Sequence, residues 1–150
     1  MKYFVAISLL VATISCSNST TKSGTSGAPG SSDSLAYPLA VSFGSICCGT
    51  PSSDFLKTFV QGFNQKYRSK ISADIAAGCG REGEFVILFK VPEDESLHQK
   101  FQKELKILVE KTDAQNKKSN ASSGGLELLQ NAVAADYKNC RLGIKAWDIK

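Results

Sequence analysis

The chain has 150 residues, 42% of them hydrophobic, with 18 Lys and Arg against 14 Asp and Glu and a formal net charge of +4. The positive charge is scattered, and its densest run, Lys100, Lys103, Lys106 and Lys111, has the spacing of the polar face of an amphipathic helix. A nucleic-acid partner is therefore not expected, and the apolar run at the start of the chain is too short to span a bilayer.

In chain order, residues 1–15 hold one basic residue, Lys2, and then an almost uncharged apolar run, the pattern of an export signal. Cys16 follows at once. A cysteine directly behind such a run resembles the lipobox of bacterial lipoproteins; Ile14 and Ser15 fit that pattern, and Thr13 stands where leucine is usual. The resemblance implies lipidation of Cys16 after export. It also implies a protein anchored by lipid to a membrane of the bacterial cell envelope, facing the periplasm or the exterior. Residues 16–35 are rich in Ser, Gly and Thr and cannot bury enough apolar surface to offset chain entropy, so they are expected to form a flexible tether.

Residues 36–150 have the length of one domain. Leu39, Val41 and Phe43 alternate, which predicts a strand through Ile46. Thr50 before Pro51 reads as a helix cap, and Phe55, Leu56, Phe59, Val60, Phe63 and Tyr67 then repeat at helical spacing. Ile71, Ala73, Ile75 and Ala77 alternate as a half-buried strand. Three glycines between 78 and 83 predict a turn into Phe85–Phe89, apolar throughout and hence central.

Beyond Pro92 a helix is predicted from about Asp94 to Thr112, striped by Leu97, Phe101, Leu105 and Leu108. Residues 113–125 are polar and read as a loop. Leu126 to Tyr137 suits a further helix, and Leu142, Ile144 and Ala146 alternate as a last strand with Trp147 on its other side. The expected fold is α+β, a ferredoxin-like sandwich: a four-stranded antiparallel sheet, two helices on one face and one extra helix before the last strand. Right-handed crossovers put the first and third strands in the centre.

That topology brings Cys47, Cys48, Cys79 and Cys140 to one pole. Set apart from Cys16 they are an even number, which in an exported chain points to disulfide bonds. Joining the adjacent Cys47 and Cys48 would close a strained ring. The remaining pairings are 47–79 with 48–140, or 47–140 with 48–79. The competing use is soft-metal binding by thiolates, but adjacent cysteines chelate poorly and the lone His98 belongs to a helix that starts at the other pole. No Cys-x-x-Cys is present for a thioredoxin-like site.

Arg81, Glu82 and Glu84, set among Gly80 and Gly83, form a possible recognition turn, although two carboxylates on a hairpin rim are ordinary solvated residues. With Ser42-Phe43-Gly44-Ser45, this Gly-Arg-Glu-Gly-Glu turn resembles a group of small uncharacterised bacterial proteins over about Leu39 to Leu108. That resemblance implies the domain assignment and no activity. No nucleophile, base and orienting group stand out as a catalytic set, so no catalytic residue, cofactor or metal is assigned. The expectation is an envelope lipoprotein whose disulfide-stabilised domain binds an envelope protein or a small ligand without catalysis. The alternative is a thiolate soft-metal or redox accessory protein using the cysteine cluster.

Overall fold

The computed structural model describes residues 35–47, 49–119 and 124–149. The signal and the tether of the sequence reading up to residue 34, with Cys16 and Cys48, lie outside the described residues. The domain is α+β, with two helices and a five-stranded antiparallel sheet rather than the expected four. In chain order the elements are β1 (Ala36–Phe43), α1 (Asp54–Tyr67), β2 (Ser72–Ala77), β3 (Phe85–Lys90), α2 (Glu95–Ser119), β4 (Leu126–Val133) and β5 (Ile144–Ala146). The strands lie in the order β4-β1-β3-β2-β5, so β1 and β3 are adjacent in the interior as expected.

The largest departure from the sequence reading is at 126–137. This stretch is a strand, β4, followed by one 3-10 turn (Ala134–Tyr137), not a helix. Leu, Glu, Gln and Ala are good helix formers, but propensity is a weak prior against tertiary pairing. β1 offers an open edge, and β4 fills it antiparallel from Phe43↔Leu126 to Ala36↔Val133. Pairing there satisfies the backbone of a buried strand and carries Leu126 and Leu128 into the core beside Val41 and Phe43. The segment expected to be the fourth strand becomes the fifth, on the outer edge of β2, with Asp74↔Ala146 and Ala76↔Ile144 in register.

Two helix ends also move. α1 starts at Asp54, not Pro51, because the Ser52 hydroxyl accepts the Asp54 backbone N–H at 3.2 Å and the Ser53 carbonyl accepts the Leu56 N–H at 3.0 Å. α2 continues to Ser119, through seven residues read as loop. Asp113 holds that extension: its carboxylate pairs with Lys117 one turn on (2.6 Å) and accepts the backbone N–H of Leu126 (2.9 Å). The same carboxylate thus ties the far end of α2 to the start of β4. Lys117 and Leu126 hold its pKa below the ordinary carboxylate range.

Both helices pack on one face. Leu56, Val60 and Phe63 of α1 and Phe101, Leu105 and Val109 of α2 bury against Leu39, Val41, Phe43, Ala73, Ile87 and Phe89. Phe101 sits at the centre of an aromatic group, 5.4, 5.1 and 5.3 Å from the rings of Phe59, Phe63 and Phe89. Trp147 lies on this face too, as its opposite phase to Ile144 and Ala146 predicts; its backbone N–H donates to the Ala73 carbonyl at 2.9 Å. The other face carries a second apolar cluster, including Tyr37, Ala40, Ala76, Val86, Leu88 and Ala132. Tyr37 joins that face although Leu39 belongs to the first, so alternation breaks at Pro38, opposite Asn131 with its left-handed φ of 54°.

Among the described residues no helix covers this second face. β4 and β5 occupy opposite edges of the sheet, so residues 134–143 must cross between them. Ala134, Tyr137 and Cys140 are buried or half-buried against the second cluster, and the crossing segment is a strap over the helix-free face. One end is fixed by the Ala134 N–H on the Leu35 carbonyl (2.9 Å). The other is fixed by the N–H groups of Arg141 and Leu142 on the carbonyls of Gly78 and Ala77 (both 3.0 Å).

Candidate functional site

The cysteines are sorted by this strap. Cys79, in the turn between β2 and β3, is bonded to Cys140, at the end of the strap. Both pairings favoured from the sequence are overturned, because each gave Cys79 and Cys140 to different partners. The reason lies in β5: its place beside β2 brings Cys140 next to Gly78 and Cys79. Cys47 is exposed in the loop after β1, which leaves from the same end of the sheet. The shared pole is therefore seen for the three described cysteines. Two of the four sulfurs counted on by the soft-metal reading are joined to each other and are not thiolates.

The turn at 78–84 is built largely for itself. β3 begins only at Phe85, so Glu82 and Glu84 are not aligned by strand alternation. The Glu84 carboxylate folds back to accept the Glu82 N–H at 3.0 Å, and the Glu84 carbonyl accepts the Cys79 N–H at 2.8 Å. A Cβ on residue 80 would first meet that carboxylate, the end of a flexible side chain that can swing aside. Arg81 and Glu82 point to solvent as exposed residues, and Glu84 is half-buried. The three do not converge on a common point beyond this local bond.

The structure shows a different site, under the strap. A cavity of about 340 Å³ is lined by Leu35, Tyr37, Asp74, Ala134, Tyr137, Lys138, Gly143 and Ile144. Its polar centre is Asp74 of β2, 7% exposed and the one charged residue among those buried in the described chain. Tyr37 donates its hydroxyl to Asp74 Oδ2 at 2.6 Å, reaching across β3 from β1. Lys90, from the end of β3, donates to Oδ1 at 2.7 Å while its own side chain stays 47% exposed. A buried carboxylate is tolerated on such terms, with its charge met by an ammonium and a hydroxyl at hydrogen-bond distance.

The environment fixes the protonation of both phenols. Burial, then the hydrogen bond to Asp74 and its charge, push the Tyr37 pKa far above the ordinary phenol value. Burial, then the nearby Asp136 carboxylate, raise that of Tyr137. Both remain neutral O–H groups at physiological pH, able to donate as well as accept. The Asp74 carboxylate has room for about four hydrogen bonds, and the two made by Tyr37 and Lys90 leave acceptor capacity at the cavity wall.

The sequence pointed to the cysteine pole and the Arg81–Glu84 turn and passed over Tyr37, Asp74, Lys90, Tyr137 and Lys138. Asp74 occupied an ordinary solvent phase of an alternating strand, and no local signal distinguishes it there. Its burial belongs to the folded sheet, where Tyr37 and Lys90 reach its carboxylate and strap residues line the cavity beside it. Compared with family models, curated proteins and solved structures, the chain matches none.

Proposed function

We propose that this protein is an envelope lipoprotein, anchored through Cys16, whose disulfide-stabilised domain has a non-catalytic binding role with the cavity beneath the strap as its binding site. The domain is read as a ferredoxin-like βαββαβ sandwich extended by β5. The observation that carries the binding role is the cavity itself: a half-open space beside the strap, with a mostly apolar lining around a buried, partnered carboxylate. Such a carboxylate, neutralised by Tyr37 and Lys90, suits orientation of a ligand rather than proton transfer. The anchor rests on the lipobox resemblance at Cys16. Among the described residues no helix is long and apolar enough to cross a membrane.

Two measurements test this reading. Replacement of Cys16→Ser should release the exported protein from membranes and remove acyl mass from it; continued membrane binding without acyl chains in the parent protein refutes the anchor. For the binding role, a small-molecule fragment library is titrated into the ¹⁵N-labelled protein. Hits should shift the amides of Tyr137, Gly143 and Ile144. A library whose hits all map elsewhere refutes the cavity as the binding site.

A further inference from the structure

The cavity's chemistry narrows the class of ligand, an inference that rests on the binding role just proposed. Its volume, about 340 Å³, lies near the lower end of small-molecule sites (~300–1,000 Å³) and limits the occupant to roughly one ring with its substituents. Charge is already balanced at the floor, where the Lys90 ammonium sits on Asp74. A cationic ligand at Asp74 would have to share the carboxylate with the Lys90 ammonium, in a cavity that Lys138 also lines, and an anionic one would face the Asp74 carboxylate. A neutral ligand meets neither cost.

The remaining polar groups ask for a ligand that both donates and accepts. Asp74 only accepts; Lys138 at the exposed side of the cavity only donates; the hydroxyl of Tyr137 does either. Hydroxyl groups satisfy all three at once. The same lining includes Leu35, Ala134, Ile144 and the aromatic residues Tyr37 and Tyr137, which suit a ring that carries C–H faces as well as hydroxyls. We infer that the cavity binds a neutral polyhydroxylated ring of monosaccharide size, its hydroxyls donating to Asp74 and accepting from Lys138.

The test uses the full ¹⁵N-labelled chain in zwitterionic detergent micelles, titrated separately with glucose, N-acetylglucosamine and myo-inositol and with butylammonium as the charged comparator. Concentrations up to about 50 mM suffice to detect millimolar Kd values. At least one of the three neutral rings should shift the amides of Tyr137, Gly143 and Ile144 saturably, and butylammonium should not. Asp74 variants risk the fold, so exposed or peripheral changes carry the mutational arm. Lys138→Met and Tyr137→Phe should each weaken the bound ring about tenfold, the scale of one lost hydrogen bond, and Tyr137→Leu, which also removes the aromatic face, by more. Shifts at these amides with butylammonium but with none of the rings overturn the polyol class and leave the cavity as a binding site. Ring-induced shifts confined to the Arg81–Glu84 turn, or none with any ring, also overturn it. The fragment titration then decides separately whether the cavity binds anything.

Discussion

Removing the bond between Cys79 and Cys140 is the perturbation with the largest consequence for the whole domain. The two residues are 61 apart in sequence, so the cross-link denies the unfolded chain the freedom of a long loop. In the chain-entropy treatment a closure of that length is worth about 4 kcal/mol at 25 °C, within the measured range of roughly 2–5 kcal/mol for native disulfides of small secreted domains. For a domain of this size about 4 °C of Tm corresponds to each kcal/mol, so a Cys79→Ser/Cys140→Ser double variant should melt roughly 15 °C lower. The assay is thermal unfolding followed by far-ultraviolet circular dichroism, with peptide mapping of the parent under non-reducing conditions. The strap should loosen first, read as faster hydrogen exchange at the Arg141 and Leu142 amides, whose acceptors are the carbonyls of Gly78 and Ala77. A double variant that melts within about 3 °C of the parent would refute the entropic argument. A map linking Cys79 to Cys47 or Cys48 would refute the connectivity itself.

Three further outcomes are expected. Gly124→Ala places a Cβ against the backbone of Gly44 and Ser45, which cannot yield as a side chain would; it should cost about 1–3 kcal/mol in urea unfolding and speed exchange of the Gly44 amide, bonded to the Gly125 carbonyl at 2.9 Å, and an unchanged midpoint would contradict that close approach. Asp113 has its pKa lowered in the fold, so its contribution is fully present above the unfolded-state value and is lost as pH falls through the depressed one; Asp113→Asn should flatten the acid side of the stability profile, and an acid limb identical to the parent's speaks against its role. Tyr37 has a raised pKa, so its contribution is full below the ordinary phenol value and is lost as pH climbs beyond it. Tyr37→Phe should cost about 1.5–3 kcal/mol near neutrality, the worth of a hydrogen bond to a charged group, and should show a shallower alkaline loss; absorbance at 295 nm that shows Tyr37 ionising like a solvated tyrosine would remove the basis for both.

Some of this protein could be read from residue order alone. The periodicity of Phe55 to Tyr67 and the stripe of Leu97, Phe101 and Leu105 placed two helices, alternation placed β1 and β2, and an unbroken apolar run placed β3, because those patterns are dictated by which faces of a local element meet the core. Cys79 and Cys140 were legible as disulfide cysteines from their number and setting. Residue order misled at Leu126–Val133, whose leucines and other good helix formers read as a helix; the open edge of β1 made it a strand. That one choice sent the following chain across the helix-free face, joined Cys140 to Cys79, and turned Asp74 from a solvated strand residue into the floor of a cavity with Tyr37 and Lys90. Local pattern fixes which residues seek the core, since burial of a face is a local matter. Which strand finds which edge, and what a crossing segment covers, depends on contacts between residues tens of positions apart, and these exist only in the folded chain.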